Sequence, residues 1–260
     1  MLLAIDVGNS HTVIGLFDGP RLRCQWRLGT NRGVTVDELA ARLHVLFAME
    51  NATLGQVSGV IIASVVPPMA TTWSSFTGKY LGLEVGIKPM VVDNQLESGI
   101  RVATDHPAEV GADRLVNAAA AYQLYHCPLI IVDFGTAITL DCVSAAGEYL
   151  GGTITPGVAI SLDALNQRTA KLPRVDIATP PRQPIGRNTV EAIRAGILYG
   201  YAGMIEGLVR RIQAQMAPEK PKVIATGGMA ELIAPYAPVI EEVDPLLTLN
   251  GLRLIYERNH

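Results

Sequence analysis

Cysteine is scarce in this sequence, which limits how the fold can be held together. Its 260 residues include only three, Cys24, Cys127 and Cys142. Their number is odd and they show no CxxC or other metal-ligand spacing, which argues against a disulfide framework and against a zinc site. We therefore expect small buried thiols in a reducing compartment, and a cytoplasmic protein.

An excess of charge of one sign and long apolar runs are also lacking. The formal net charge is −3 and the isoelectric point is about 6.0, and no cluster of Lys and Arg suggests binding to nucleic acid or to a membrane surface. No apolar run reaches the roughly 18 residues of a membrane span. A charge at Asp6 interrupts the apolar start, so we expect no signal peptide. The partners should be small molecules or a second copy of the chain.

The sequence does contain enough hydrophobic residues for a large core, and it contains an internal repeat. Hydrophobic residues make up 49% of the chain, enough for one large domain or two small ones. Residues 4–16 read AIDVGNSHTVIGL and residues 131–143 read IVDFGTAITLDCV. Asp6 therefore matches Asp133, and a Gly follows two positions later in both copies. A repeat of this kind predicts that one structural unit occurs twice.

Each copy of the repeat predicts a three-stranded antiparallel meander. An apolar run rich in β-formers ends at the Asp, turns at the Gly and continues as a second such run. Asp18-Gly19 and Ala146-Gly147 then mark hairpin turns to a third strand. Strands are predicted at 2–5, 22–28, 57–66, 90–93, 129–132, 149–154 and 222–225, and helices at 37–49, 112–124 and 188–216.

The repeat also predicts the domain organisation. We expect an N-terminal half at 1–126 that carries the first turn, and a C-terminal half at 127–260 that carries the second turn and a later Thr-Gly-Gly element. Two such α/β halves would place their turns face to face across an interdomain cleft, where ligands of multi-domain proteins bind.

A stripe of small residues marks the last long helix. Gly196, Gly200, Gly203 and Gly207 recur every three or four residues. The stripe predicts either tight packing within the chain, which we favour, or a seam between two copies.

The first Asp-Gly turn has the composition of a phosphate-binding turn. Gly8 lets the backbone approach a ligand, and Asn9, Ser10 and Thr12 offer short polar donors. Asp6 would be repelled by phosphate unless a cation intervened, so we predict Mg²⁺ there, held through water. An ordinary hairpin would explain one such turn equally well, whereas two copies favour the functional interpretation.

The second turn and the Thr-Gly-Gly element extend this interpretation. Thr136 stands where the first copy has Asn9, and its hydroxyl could bind the far end of the same triphosphate. Thr226, Gly227 and Gly228 follow a short apolar strand, and these glycines either admit an adenine ring or simply end the strand.

These motifs resemble those of a known superfamily. The paired turns and the Thr-Gly-Gly element look like the phosphate and adenosine motifs of the actin, sugar kinase and Hsp70 superfamily. Within it, five segments resemble, in order over nearly the whole chain, the type III pantothenate kinases, and Gly-Ala-Asp-Arg is the one that separates this family from sugar kinases. The segments are 6–10, 109–114, 133–137, 151–157 and 186–189.

The resemblance implies a fold, an activity and an assembly. The fold would be α/β, with two duplicated ribonuclease H-like (actin-like ATPase) domains and an interdomain cleft. The activity would be ATP-dependent phosphorylation of pantothenate to 4′-phosphopantothenate, the first step of coenzyme A biosynthesis. The cofactors would be Mg²⁺ with ATP and a monovalent cation, K⁺ or NH₄⁺, and the assembly would be a homodimer.

The resemblance also implies residue roles. Asp113 would be the general base, Arg114 would help to bind pantothenate, Asp133 would lie beside the monovalent cation, and Thr189 would contact the substrate. The implied substrate-binding residues are Gly111, Ala112, Asp113, Arg114 and Thr189, and the implied ATP-binding residues are Asp6, Val7, Gly8, Asn9, Ser10, His11, Thr12, Val13, Thr136, Gly227 and Gly228.

The residue types agree with these roles. The guanidinium of Arg114 suits the carboxylate of pantothenate, although Asp113 and Arg114 would otherwise be read as charges at a helix start. Two positions depart from many relatives. Ser10 stands in place of Thr and keeps the hydroxyl, whereas Thr104 stands in place of Tyr and changes the expected shape of the pocket.

Two other functions remain open from the sequence. One is a kinase of the same superfamily that acts on another small alcohol. The other is a regulatory protein that binds ATP without turnover, since a fold does not fix a function. Retention of Asp6, Asp113 and Asp133 argues against the second, because a protein without catalysis has no physical need for three such carboxylates.

Overall fold

The computed structural model describes residues 1–81, 86–93 and 96–260. In it the chain separates into two compact units. The first comprises Met1–Arg101, Asp105–Gln123 and Leu247–His260, and the second comprises Val102–Thr104 and Leu124–Leu246. Both contain helices and a mixed sheet, so the predicted α/β class is confirmed.

The first unit opens with the predicted meander. Strands β1 (Leu2–Val7), β2 (His11–Asp18) and β3 (Arg21–Gly29) pair antiparallel in sequence, and β4 (Gly59–Ser64) and β5 (Met90–Val91) extend the sheet in parallel from β1. The strand order is β3-β2-β1-β4-β5. Its helices are α1 (Val36–Met49), α2 (Pro67–Phe76) and α3 (Ala112–Tyr125), of which α3 runs two residues past the unit.

The start of α1 shows how the chain leaves the meander. Thr35 caps the helix by accepting a hydrogen bond from the backbone NH of Glu38, whose carboxylate accepts in turn from the Thr35 backbone. This reciprocal capping box satisfies two backbone donors that a helix start leaves free. The loop from Thr30 to Thr35 is therefore fixed at its helical end.

The second unit repeats this topology. Strands β7 (Leu129–Phe134), β8 (Ala137–Val143) and β9 (Glu148–Pro156) form an antiparallel meander, and β10 (Lys222–Thr226) and β11 (Glu242–Val243) extend it in parallel from β7. The order β9-β8-β7-β10-β11 matches that of the first sheet, and a short strand β6 (Arg101–Val102) is added beside β9. The helices are α4 (Val158–Gln167), α5 (Thr189–Gln215) and α6 (Ala230–Ile233).

Each unit has its own hydrophobic core. In the first, β1, β2 and β4 contribute alternate side chains such as Ile5, Ile14 and Ile62. In the second, β7, β8 and β10 do the same against α5, with Val132 and Leu140 fully buried. Side chains alternate between the two faces of a strand, so the strand register determines which residues next to each Asp-Gly turn lie on the face away from the core.

The units differ from the predicted halves 1–126 and 127–260 in three places. Residues 102–104 and 124–126 group with the second unit, and helix α7 (Leu247–Arg258) returns to the first, where it packs against β1, β2 and β4. The prediction of halves followed chain order alone, and chain order carries no information on where a terminal helix docks.

Other elements have no counterpart among the sequence predictions. These are β6, β11, α2, α4, α7 and the short helical turns Leu54–Gln56, Thr77–Leu81, Pro107–Glu109 and Ala234–Tyr236. We favoured tight packing of the glycine stripe of α5 within the chain, and this prediction was wrong. Ideal Cβ atoms on Gly196, Gly200 and Gly203 would meet no atom of the described residues within 4 Å, because the buried face of α5 lies on its other side.

Candidate active site

The first Asp-Gly turn lies at the carboxyl end of the first sheet. Asp6 and Val7 end β1, and Val7 is paired in parallel with Ser64 at the end of β4. The backbone NH of Val65, which follows β4, donates to the Val7 carbonyl at 3.1 Å. Carboxyl ends of parallel strands are where open α/β sheets bind ligands, so this edge is a candidate site.

The turn itself is closed by backbone and braced by Thr30. The NH of Gly8 donates to the His11 carbonyl at 3.0 Å. From the end of β3, Thr30 donates its backbone NH to the Ser10 carbonyl at 3.0 Å and its hydroxyl to the Gly8 carbonyl at 2.8 Å. These contacts leave the side chains of Asn9, Ser10 and His11 exposed.

Thr12 supports the turn from inside. It is only 2% exposed, and its hydroxyl lies 3.0 Å from that of Thr30. Since the Thr30 proton is directed to the Gly8 carbonyl, the Thr12 hydroxyl is the donor of this pair. The structure thus gives Thr12 a bracing role, while its predicted contact with ATP stays a prediction.

Two arginines lie against the exposed side chains of the turn. The guanidinium of Arg32 donates to Oδ1 of Asn9 at 3.1 Å, and that of Arg27 lies 3.5 Å from Nδ1 of His11. Partial burial, and after it the positive charge of Arg27, lower the pKa of His11 from its ordinary value. His11 is therefore neutral at pH 7, and the arginines supply the positive charge at this edge.

The Gly-Ala-Asp-Arg motif lies beside the same edge. Gly111 precedes α3, and an ideal Cβ on it would lie 3.7 Å from Cγ1 of Val65 and 2.6 Å from Oδ1 of Asp113. A larger residue at this position would require the Asp113 side chain to shift. Asp113 is half-buried in the first turn of α3, and its Oδ1 accepts from the Arg114 backbone NH at 2.8 Å. A helix N-terminus favours negative charge at this position.

In the second unit, the Asp133 turn and the Thr-Gly-Gly element meet. Asp133 on β7 is paired in parallel with Thr226 on β10. Gly227 has φ of +91°, and an ideal Cβ on it would lie 2.5 Å from Oδ1 of Asp133 and 2.7 Å from the backbone of Phe134. Gly227 is therefore required both by its conformation and by this close approach. Gly228 follows it and is exposed.

The second turn is braced by backbone. The NH of Gly135 donates to the Ala137 carbonyl at 3.1 Å, and the NH of Gly157 donates to the Thr136 carbonyl at 3.1 Å. Gly157 also begins α4, which starts directly behind the turn. Thr136 is half-buried.

A buried carboxylate lies behind Asp133. Thr139 is the cross-strand partner of Asp133, and its hydroxyl donates to Oδ2 of Asp141 at 2.8 Å. Asp141 has no exposed surface, and its Oδ1 accepts from the Tyr149 hydroxyl at 2.6 Å. Hydrogen bonds to a buried carboxylate offset the cost of its desolvation, so this group holds β8 and β9 in register beside the turn.

Thr189 lies elsewhere in the second unit. It begins α5 after the cap residue Asn188, whose side chain accepts from the Glu191 NH at 2.9 Å. It lines an apolar cavity of about 330 Å³ together with residues of α4, of α5 and of the segment between them, among them Leu165 and Ile193. Its substrate contact stays a prediction.

The donor sets bear on which metal would fit. Among residues 1–81, 86–93 and 96–260, no group of three or more His, Cys, Asp or Glu side chains is placed to hold a metal ion. Mg²⁺ in nucleotide sites is held by one or two carboxylates plus substrate phosphates, so Asp6 at the first turn fits that ion. No helix of the described part of the chain is long and apolar enough to cross a membrane.

Sequence reasoning missed the residues that brace the two turns. Thr30, Arg32 and Arg27 support the first, and Asp141 with Tyr149 supports the second. The only sequence signal was a polar loop directly after the third strand. The distances from Asn9 to Arg32 and from Asp141 to Tyr149 along the chain give no pattern that predicts contact.

Comparison with known proteins identifies relatives over the whole chain. A family model described as type III pantothenate kinase matches residues 2–211. A type III pantothenate kinase from Desulfatibacillum aliphaticivorans is 51% identical over 258 residues, which is 99% of this chain and 98% of the relative.

Solved structures are similar in fold at low identity. A conserved protein from Campylobacter jejuni assigned to the Baf family of transcriptional activators superposes with a TM-score of 0.58 at 18% identity, covering 99% of this chain and 98% of its own. A protein from Sinorhizobium meliloti assigned as a 2-dehydro-3-deoxygalactonokinase gives 0.56 at 11% identity, with coverage of 99% and 98%. At these identities the likeness shows the fold alone.

Proposed function

The chain belongs to the type III pantothenate kinase family, and from this we propose that it transfers the γ-phosphoryl group of ATP to the primary hydroxyl of pantothenate. The product is 4′-phosphopantothenate, and the reaction is the first step of coenzyme A biosynthesis. The resemblance seen in the sequence is thereby confirmed at the level of the family, and so is the actin-like sugar kinase fold.

One observation of the structure gives this proposal its strongest support. An ideal Cβ on Gly111 would lie 3.7 Å from Cγ1 of Val65, and the backbone NH of Val65 donates to the carbonyl of Val7 at the end of β1, so the Gly-Ala-Asp-Arg motif lies near the edge of the first sheet that carries the first Asp-Gly turn. A base that accepts the hydroxyl proton must work beside the phosphates of ATP, and this proximity supports Asp113 in that role.

The proposed reaction uses the residues at this edge as follows. The carboxylate of Asp113 accepts the proton of the pantothenate hydroxyl as its oxygen forms a bond to the γ-phosphorus, and the bond from phosphorus to the bridging oxygen breaks to release ADP. Arg114 binds the pantothenate carboxylate in bidentate fashion. The remaining substrate contacts are proposed for Gly111, Ala112 and Thr189.

The proposed ATP contacts come from both turns. Residues 6–13 and Thr136 would bind phosphates, and Gly227 with Gly228 would bind the adenosine. Asp6 would hold Mg²⁺ through water, and the ion would neutralise charge on the phosphates. Asp133 would lie beside a monovalent cation.

We also propose a homodimer and a cytoplasmic location. The exposed stripe of Gly196, Gly200 and Gly203 on α5 would let a helix of a second copy approach closely. The three cysteines are free thiols, which suits a reducing compartment. Sedimentation equilibrium tests the assembly, and a monomer at micromolar concentration would overturn the proposed dimer.

The decisive test of function is release of ADP from ATP with and without pantothenate. Asp113→Asn keeps the shape of the side chain and removes the base, so kcat should fall about 10²–10⁴-fold while ATP binding survives. Arg114→Ala should chiefly raise KM for pantothenate. A folded Asp113→Asn variant that turns over within a few-fold of the parent would show that the base lies elsewhere, and turnover of another alcohol in place of pantothenate would redirect the proposal.

The monovalent cation has its own test. K⁺ or NH₄⁺ should support turnover better than Na⁺, because a carboxylate beside phosphate requires a neutralising ion of suitable size. Asp133→Ala should remove that preference. Equal rates in the three salts, with an unchanged rate in Asp133→Ala, would eliminate the cation from the mechanism.

A further inference from the structure

The loop that follows β3 reaches the first Asp-Gly turn at three points. Thr30 donates to the Ser10 and Gly8 carbonyls, and two residues later Arg32 donates to Oδ1 of Asn9 at 3.1 Å. The backbone and one exposed side chain of the turn are thus held by one short segment. None of these loop residues belongs to the motifs that define the turn.

The contact of Arg32 fixes which way the Asn9 amide faces. A guanidinium has only donors, so the atom of Asn9 that faces it must be the oxygen. The Nδ2 group of Asn9 then faces away from Arg32 with both of its protons available. An exposed Asn side chain without this contact would rotate freely, and it would lose that freedom on binding a phosphate.

The loop segment that carries Arg32 is itself held in place by hydrogen bonds. Asn31 accepts from the Gly33 NH through its side chain at 3.0 Å and from the Val34 NH through its carbonyl at 3.1 Å. Val34 is 6% exposed in the core of the first unit. Arg32 is therefore carried on a tight turn anchored in the core, between the end of β3 and the cap of α1.

The charge of Arg32 is not used elsewhere. In the described part of the chain it forms no ion pair with an acidic side chain, and its Nη2 bonds only to Asn9. A positive charge that lies against a neutral amide at a phosphate-binding edge raises the affinity of that edge for anions.

We propose that Arg32 is a positioning residue for ATP, which acts through Asn9 by holding its amide with the NH₂ group directed to a phosphate oxygen. This inference rests on the proposed function, because it takes ATP as the ligand of the first turn. Thr30 serves the same end by holding the backbone of the turn.

A double-mutant cycle tests it. Arg32→Met keeps an unbranched apolar stem and removes the guanidinium, so it should raise both KM for ATP and the Kd of ATP with Mg²⁺ about three- to tenfold, with KM for pantothenate changed less than about twofold. Asn9→Ala should have a similar effect. In the Asn9→Ala background, Arg32→Met should then add less than about twofold, because the group through which it acts is gone.

Arg21 provides a matched control. It is an exposed arginine at the opposite end of β3, about 20 Å along the strand from Arg27, so Arg21→Met changes the net charge equally and should leave the Kd of ATP unchanged. An effect of Arg21→Met equal to that of Arg32→Met would reduce the result to general electrostatics and overturn the inference.

The remaining outcomes separate this inference from the proposed function. If a folded Arg32→Met variant binds ATP with an unchanged Kd, the role of Arg32 through Asn9 is overturned, although the parent still binds ATP. The same conclusion follows if the effects of Arg32→Met and Asn9→Ala on the Kd of ATP simply add. Failure of the parent itself to bind ATP with Mg²⁺ in calorimetry would overturn the proposed function, and this inference with it.

Discussion

The two Asp-Gly turns are copies in sequence but are braced in different ways. The first is held mainly by a loop outside the repeat, since the hydroxyl and backbone NH of Thr30 donate to two of its carbonyls and the guanidinium of Arg32 donates to Asn9. The second is held by close approach of backbone, since Gly227 lies against Asp133 and Gly157 donates to Thr136. The same antiparallel pairing of strands is therefore compatible with two different ways of holding the turn in place.

The difference has a physical consequence. Hydrogen bonds from exposed side chains cost little to break, because water replaces them, whereas backbone that lacks room for a Cβ cannot relax without shifting a strand. Substitutions at the first turn should therefore alter ligand binding more than stability. Substitutions at the second should alter stability first.

The largest effect is expected for Gly227→Ala. The residue has φ of +91°, and the added Cβ would lie 2.5 Å from Oδ1 of Asp133 and 2.7 Å from the backbone of Phe134. Strain and overpacking together should lower the free energy of unfolding by about 2–4 kcal/mol, as measured by urea denaturation. Gly8→Ala should cost less, since its Cβ would lie 3.0 Å from the His11 carbonyl and its φ is ordinary.

Gly55→Ala is the control for this prediction. An ideal Cβ there meets no described atom within 4 Å, so the change should stay within about 0.5 kcal/mol. If Gly227→Ala and Gly8→Ala lower the free energy of unfolding equally, the proposed difference between the two turns is contradicted.

A smaller effect is expected for Tyr149→Phe. Tyr149 is 1% exposed and its hydroxyl donates to the buried Asp141 at 2.6 Å, so its removal leaves one carboxylate oxygen without that donor. The free energy of unfolding should fall by about 1–3 kcal/mol. Tyr236→Phe is the control, because the Tyr236 hydroxyl forms no hydrogen bond with the described residues. A loss no larger than that of the control would show that Asp141 is satisfied by other groups.

The corresponding change at the first turn is Thr30→Val. It removes the hydroxyl that donates to the Gly8 carbonyl, at a partly buried position, so it should lower the free energy of unfolding by only about 0.5–1.5 kcal/mol. Thr30→Ser keeps the hydroxyl and should restore most of the affinity for ATP that Thr30→Val loses. Restoration of stability without restoration of affinity would assign Thr30 to the fold alone.

The sequence predicted the repeated part of the fold because the relevant signals are local. Apolar runs, Asp-Gly turns and hairpin dipeptides lie within the first 30 residues of each copy, and all six strands of the two meanders were found there. Helix α7 was missed because its docking against β1, β2 and β4 depends on contacts with residues at the other end of the chain.

The candidate site was predictable to the same extent. Asp133 and Gly227 were each singled out from sequence, and the structure brings them together because β7 and β10 are parallel neighbours. Thr30 and Arg32 were not, since a polar residue in a loop is ordinarily a solvated one. Their importance depends on a tertiary contact with Asn9 and Gly8, about 22 residues away, that composition does not encode.

The smallest and most local effect concerns the imidazole of His11 in the first turn. Its pKa is lowered mainly by partial burial and secondly by the charge of Arg27, whose guanidinium is 3.5 Å away. Arg27→Gln should therefore raise the pKa of His11 part of the way to its ordinary value, since burial remains. The ring resonances of His11 in an NMR titration measure this change.

The sign of the linked effect on stability follows from proton binding. Between the lowered pKa of His11 and the ordinary value of 6.5, the unfolded chain binds more protons than the folded one, so the contribution of His11 to stability falls as the pH decreases through that window. Arg27→Gln narrows the window and should make the loss on acidification smaller. A His11 pKa that does not move in Arg27→Gln would show that the arginine is screened by solvent, and the first turn would then owe its positive charge to Arg32 alone.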